Sequence, residues 1–336
     1  MASEAGALLA RLGAPPDLAI RAFAPLPGLD GLQERPILVD QTHRSVVVSE
    51  RLVVKWFTPP LPPPHRSFEL LAHLAAVGFG DTAAPYAAAF DARGRAVALI
   101  TAYLPEARDG WDWCVEAAVA GEPVGALLGG LAAGLHAALA TPSALLPEPV
   151  SPADPSGWHA RAADALDEAL ALTDDPWLHG RAGTLRDGLD VLRDPARVPA
   201  IDVHGDLHVG QILKWRGGYA VIDFDGNPTL AGAHSRQPAA RDVAQLLTSL
   251  EHVAQIAFER RDTDVSAWLE AELAAFLDAY RARLAALGRS ELFAEELVRP
   301  FAIEQECREL IYAARFLPRW RYAPLGVLRS WYRGEP

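Results

Sequence analysis

The residues able to do chemistry crowd into the stretch from 201 to 228. His204, Asp206, His208, Gln211, Asp223 and Asp225 occupy two short loops there. Leu213 and Trp215 lead into Arg216-Gly217-Gly218, a turn signal, and Tyr219-Ala220-Val221-Ile222 leads out, so a β-hairpin separates the loops. A hairpin folds its ends onto each other. Gln211 and Asp223 are therefore expected to meet in space, with Asp206 one loop away. Carboxylates crowded this way disfavour one another's ionisation unless a cation neutralises them. A divalent metal together with a phosphate donor would supply that cation and a use for it.

Lysine usage adds a second signal. Lys55 and Lys214 are the only lysines in a chain that otherwise uses arginine. Lys55 sits in Arg-Leu-Val-Val-Lys-Trp-Phe, a strand pattern, and a half-buried ammonium needs a counter-charge. Glu69, on a helix expected to start at Ser67, is the candidate. Two plainer readings stay open: a snorkelling strand-edge lysine and a helix-surface glutamate. Lys214 reads as a surface residue of the hairpin.

The order of these parts is that of the protein kinases. An upstream lysine and helix glutamate precede a His-x-Asp loop, an amide five residues on, and an aspartate opening Asp-Phe-Asp. In that scheme Asp206 accepts the proton of the attacking hydroxyl. Gln211 and Asp223 bind Mg2+, and Lys55 holds the phosphates of ATP. A zinc reading of His204 and His208 is disfavoured, because Gly205 and Gly210 argue for a loop and no further nitrogen or sulfur ligand follows at the usual spacing.

His204-Gly205-Asp206-Leu207-His208-Val209-Gly210-Gln211, followed by Asp223-Phe224-Asp225-Gly226-Asn227-Pro228, resembles the signature of aminoglycoside-phosphotransferase-like sugar kinases, the maltokinases especially. Those usually carry Glu where this chain has Asp225 and Asn227. With that variant, Gln305-Glu306-Cys307-Arg308-Glu309 and Ala314 to Trp320 resemble the actinobacterial glucosamine kinases. The resemblance is specific from about 200 to 250 and 300 to 325. It implies an α+β, two-lobed protein-kinase-like fold with a small β-rich N-lobe and a larger, mostly helical C-lobe. It also implies an Asp, here Asp242, that braces the catalytic loop. The implied reaction is ATP-dependent phosphorylation of D-glucosamine to glucosamine 6-phosphate. Maltose or an aminoglycoside is the alternative acceptor, and a nucleotide-binding protein without catalysis is the non-enzyme alternative. No glycine-rich phosphate loop is present; the corresponding turn offers Thr42, His43, Arg44 and Ser45. Adenine is expected at Thr101, Ala102, Tyr103 and Leu104.

An acidic, aromatic acceptor pocket suits an amino sugar that is cationic at neutral pH. Its candidates are Asp202, His204, His208, Asp225, Asn227, Glu304, Arg308, Glu309 and Trp320. His204 is also expected to pack under the catalytic loop. His208 reads equally as a spacer or as a wall of the sugar site, and Asp225 as a ligand-facing carboxylate or a turn cap.

Positioning these residues takes two kinds of scaffold. Residues 1 to 105 read as an ATP-binding N-terminal lobe. Short helices interrupted at Pro15-Pro16 fill 2 to 25. A β-meander covers Pro36 to Phe57, a stiff proline run follows, and then one helix and two strands around Ala92-Arg93-Gly94. Residues 106 to 336 read as the helical lobe with catalytic loop, metal site and sugar site, ending in an aromatic tail. With 336 residues the chain can bury a sizeable core around one cleft. The net charge of -12 disfavours nucleic acid. No apolar run reaches membrane-spanning length, no export signal is evident, and Cys114 and Cys307 are the only cysteines. A cytoplasmic monomer or weak homodimer, with no membrane or nucleic-acid partner, is expected.

Overall fold

The computed structural model describes residues 1–29, 31–37, 44–195, 197–226 and 236–332. They divide into two units. Met1–Arg108, Pro142–Pro147 and Ile212–Gly226 form the first, and Asp109–Thr141, Glu148–Gln211 and Asn227–Pro336 the second. A single boundary after residue 105 thus omits two later returns to the first unit, the hairpin among them.

The first unit is built on alternation. Helix α1 (Ala2–Arg11) precedes strands β1 (Ala19–Ala22), β2 (Glu34–Pro36), β3 (Arg44–Val48) and β4 (Leu52–Leu61). Helix α2 (Arg66–Ala76) and strands β5 (Pro85–Phe90) and β6 (Ala96–Ala102) follow. The strands form one antiparallel sheet in the order β1-β5-β6-β4-β3-β2. Val46, Val48, Leu52, Val54, Ala98 and Ile100 share a face and bury against Ala5, Leu8 and Leu9 of α1. The period-2 repeat sends Ser45, Val53, Lys55, Leu99 and Thr101 to the opposite face. That division places Lys55 away from the core on a rigid strand. The hairpin pairs Ile212 with Val221 and Trp215 with Gly218. Val221 N–H donates to Asp81 O (2.8 Å), and Thr82 Oγ1 donates to Val221 O (2.7 Å).

Two local readings differ from the outcome. Residues 19–22, expected helical, pair with β5, because an open sheet edge supplies backbone partners that outweigh the helix preference of alanine. β4 continues through Thr58, Pro59 and Pro60 to Leu61, where a stiff connection was expected. Pro59 and Pro60 lie where β4 departs from its ladder with β6, a position that requires no donor.

Helices α3 (Gly110–Ala120), α4 (Gly125–Leu139), α5 (Trp158–Leu172), α6 (Pro176–Leu189), α7 (Ala240–Arg261), α8 (Ser266–Ala286), α9 (Val298–Arg315) and α10 (Tyr322–Trp331) make the second unit. Asp109 and Asp175 cap α3 and α6, accepting from Trp111 N and Leu178 N, and Pro176 opens α6. Glu272 of α8 accepts from Val124 N (2.7 Å) and Gly125 N, closing the start of α4. Trp158, Leu166, Leu185, Phe301 and Leu310 anchor the core between α5, α6 and α9. The expected aromatic tail forms α10, whose Leu325 and Leu328 join that core. Helix α7 is buried nearly all round, yet carries Asp242, Gln245, Ser249, Glu251 and His252. Buried polar groups demand partners, and the search for those partners leads to the site. Cys114 and Cys307 are buried and form no disulfide. Among the described residues no helix is long and apolar enough to cross a membrane.

Candidate active site

Helix α7 meets the loop 204–209 through one face. Asp242, Gln245 and Ser249 are spaced i, i+3 and i+7, which stacks them along the helix. Asp242 accepts from His204 N at 2.7 Å and Gly205 N at 2.9 Å. Gln245 Nε2 donates to Asp206 Oδ1 at 2.8 Å, and Val209 N donates to Ser249 Oγ at 3.1 Å. His136 Nε2 also reaches Asp242, at 3.2 Å, while its Nδ1 meets the Tyr280 hydroxyl at 2.7 Å. An ionised Asp242 can only accept, so the His136 ring donates to it through Nε2. Burial would push the Asp242 carboxyl up. The His136 hydrogen bond, the nearby histidines and Gly205 N–H outweigh it and hold the group below its ordinary value. Burial, reinforced by the Asp242 charge, raises Tyr280 well above a normal phenol.

The start of α3 closes on the same loop from another side. A Cβ on Gly110 would lie 1.6 Å from the Val209 carbonyl oxygen, so only glycine permits this approach. Gly210 is constrained less severely: a Cβ there would meet a side chain, Trp111 Nε1, at 2.5 Å. Trp111 stacks on His208 with centroids 5.6 Å apart and meets Trp320 edge-on at 6.0 Å. His208 Nε2 lies 3.8 Å from Asp206 Oδ2. Burial lowers the His208 imidazole from its ordinary value, with Asp206 opposing and His252 adding to the shift. At the other end of the row, Trp320 Nε1 donates to Glu309 Oε2 (2.8 Å) and Gln305 Nε2 to Glu309 Oε1 (3.1 Å). Asp206 and Glu309 are thus joined by a continuous row of rings.

Buried charge surrounds this row. Glu304, only 1 % exposed, accepts from Arg241 Nη1 at 3.1 Å and lies 3.5 Å from Arg308 Nε. Burial lowers the Arg308 guanidinium, against the pull of Glu304 and Asp206. His252 Nε2 and Glu306 Oε2 share a 2.9 Å hydrogen bond. Burial and the Glu309 charge push Glu306 well above a normal carboxyl, whereas burial pushes His252 down. Glu251 is driven up to about 7, chiefly by burial, despite its hydrogen bond from Trp331 Nε1.

In the first unit, Lys55 Nζ lies 3.7 Å from Asp223 Oδ1 and 3.7 Å from Asp225 Oδ2. Both carboxylates are exposed, and Phe224 between them is buried. Asp223 adopts a left-handed backbone with φ 63°, tolerable for Asp and typical of a functional turn. Arg66 Nη1, from the first turn of α2, donates to Phe224 O at 2.9 Å. Ser45 is directly opposite Lys55 in the sheet, and Thr101 follows on the same face. Tyr103 N donates to Arg51 O (2.9 Å), and the Tyr103 hydroxyl accepts from Arg35 at 2.7 Å.

No protein-family model matches the chain. A glucosamine kinase from Streptacidiphilus jiangxiensis is 42% identical over 346 residues, spanning 95% of this chain and 78% of the relative. The chain belongs to the glucosamine kinase family. A second member, from Mycolicibacterium smegmatis (strain ATCC 700084 / mc(2)155), is 37% identical over 317 residues, 88% of this chain and 78% of its own. The solved structure of a glucosamine kinase in complex with glucosamine, ADP and inorganic phosphate superposes with a TM-score of 0.82 at 39% identity. It covers 97% of this chain and 82% of that one. The α+β fold is that of the glucosamine kinases.

Within this glucosamine kinase family member, the expected residues fall into distinct places. Asp206, His208, Arg308, Glu309 and Trp320 lie along the row of rings or within electrostatic reach of Asp206. Gln211 ends the short helical turn 209–211, directly before the hairpin. Asp202 is paired with Arg236 (3.3 Å). Lys55, Ser45 and Thr101 share a sheet face; Ala102 pairs with Leu52, and Leu104 is buried. Three expectations are corrected, and His204 takes the packing role expected of it. Glu69 is on the exposed side of α2, and among the described residues it makes no ion pair with Lys55. The helix phase that buries Phe68 and Leu70 turns Glu69 outward. Glu304 is enclosed by Arg241 and Arg308. His204 is fully buried, its Nδ1 accepting from Asp206 N at 3.3 Å, so it holds the loop from beneath. Asp225, expected at the acceptor, stands beside Asp223 at Lys55. Asn227, Thr42 and His43 lie outside the described residues. Sequence reasoning missed Arg66, Gln245, Ser249 and Trp111. The tryptophan alone left a signal, as an aromatic next to a capped helix start.

Proposed function

We propose that this chain transfers the γ-phosphoryl group of ATP to D-glucosamine, giving glucosamine 6-phosphate. The observation that carries the reading is the row from Asp206 through His208, Trp111 and Trp320 to Glu309, which offers carboxylates at both ends of an aromatic wall. Aromatic faces suit the C–H side of a pyranose, and carboxylates suit hydroxyls and an ammonium. Neutral maltose would have less use for such acidity.

Asp206 accepts the proton of the attacking hydroxyl. The oxygen–phosphorus bond forms as the bond to the departing ADP breaks. Lys55 neutralises phosphate charge, and the segment Thr101, Ala102, Tyr103 and Leu104 holds the base. Glu309, Trp320 and His208 hold the sugar, with Asp202 and Arg308 supporting the wall.

The donor set fits Mg2+. Asp223 and Asp225 already converge on one cation, the Lys55 ammonium. Among the described residues no group of three or more acidic, His or Cys side chains could hold a metal alone. Mg2+ typically takes one or two carboxylates and completes its shell with water and phosphate. Asp223, with Gln211 and Asp225 as further oxygen donors, would hold it. When bound it would neutralise charge on the phosphate oxygens. The acidic composition suits a cytoplasmic enzyme acting on small molecules.

A coupled ATP-consumption assay over a sugar panel, with the product position read by phosphorus NMR, tests the reading. Turnover on D-glucosamine with phosphate at the 6-hydroxyl is expected. Turnover on maltose alone would overturn it.

A further inference from the structure

We propose that Gln245 is a positioning residue for phosphoryl transfer, fixing the Asp206 carboxylate in the orientation that receives the acceptor's proton. The inference rests on Asp206 as the proton acceptor of the proposed reaction. Gln245 is 6 % exposed, and its Nε2 donates to Asp206 Oδ1 at 2.8 Å. An ionised carboxylate has no proton to give, so the amide must present its nitrogen.

Geometry sets Gln245 apart from its neighbours on α7. Asp242, three residues before it, holds His204 N and Gly205 N, and Ser249, four residues after it, holds Val209 N. These bonds fix the backbone on both sides of Asp206. They leave the side-chain torsions of Asp206 to other contacts, and a carboxylate has a broad, roughly two-fold terminal torsion. Gln245 is the α7 side chain that reaches the carboxylate itself. Its chemistry also suits the task. A lysine or arginine here would form an ion pair and weaken the carboxylate as a base, whereas a glutamate would repel it. A neutral donor orients the group and leaves its charge in place.

The test measures kcat, KM for ATP and KM for D-glucosamine in Gln245→Met, Gln245→Glu, Asp206→Asn and the double variant Asp206→Asn/Gln245→Met, with thermal melts of each. Both changes at 245 keep the side-chain length. Gln245→Met is expected to lower kcat by about 10- to 100-fold, as misplacement of a reacting group does. Both KM values should stay within about twofold of the parent, the signature of an interaction that acts in the transition state. Gln245→Glu should lower kcat at least as far. Adding Gln245→Met to Asp206→Asn should change nothing further, because no carboxylate base remains to be oriented. Equal losses in both backgrounds, or a kcat within about twofold of the parent in a folded Gln245→Met protein, would overturn the role of Gln245 alone. An Asp206→Asn kcat within about tenfold of the parent would overturn the base assignment, and this role with it.

Discussion

The loop 204–209 and the turn 223–225 hold the residues to which the proposed reaction assigns its two tasks, and they are held by different forces. Side chains of one buried helix hydrogen-bond the loop at His204, Gly205, Asp206 and Val209. The turn buries Phe224, anchors its carbonyl to Arg66, and leaves two exposed carboxylates 3.7 Å from one lysine. Buried hydrogen bonds are insensitive to salt and to ligands, and are costly to break. Exposed ion pairs contribute little to stability, and their charges are available to another partner. In the proposed reaction the base is therefore built in advance, and the side proposed for metal and phosphate would respond to the nucleotide.

Each variant below breaks or sharpens that contrast. The largest loss belongs to Asp242→Ala, which strands the His204 and Gly205 amides and the His136 ring. Urea denaturation should register about 3–5 kcal/mol, with a matching collapse of activity. The same helix should show a pH signature. Glu251 has an ordinary value of 4.5 and about 7 in the fold. Its stabilisation is complete below pH 4.5 and is lost as pH rises towards 7, by about 3 kcal/mol in all. Glu251→Gln should remove that slope, so the variant's melting temperature gains on the parent between about pH 5 and pH 8. Gly110→Ala forces a methyl against the Val209 carbonyl and should cost about 1–3 kcal/mol in denaturation, with a lower kcat. The smallest stability effect belongs to Asp223→Asn, within about 0.5 kcal/mol of the parent by thermal melt. Its activity should nonetheless fall by more than the roughly 10- to 100-fold that outer-shell changes at metal sites cost.

The readable part of this site is the part whose chemistry depends on residue type. Asp206, Gln211, Asp223 and the retained Lys55 stand in the sequence as an ordered set on which the proposed reaction draws, and the hairpin between the loops forms where its turn residues place it. The partners of Lys55 were not visible. Asp223 and Asp225 reach Lys55 from far along the chain, a long-range approach that no local pattern records. Gln245 and Ser249 were hidden for a related reason. On a helix buried all round, a polar residue looks like a break in the apolar pattern until its partner, some 40 residues earlier in the chain, is known. Residues 19–22 were misread because alanine-rich composition favours helix, whereas pairing with β5 is a long-range fact.

Amide hydrogen exchange at His204, Gly205 and Val209 tests the central claim most directly, with and without ATP, Mg2+ and D-glucosamine. Side chains of α7 accept from these amides before any ligand arrives. They should therefore exchange only through global unfolding, at the same slow rate in the free and the loaded protein. Fast exchange in the free protein, with protection appearing only on ligand binding, would contradict a catalytic loop built in advance by α7.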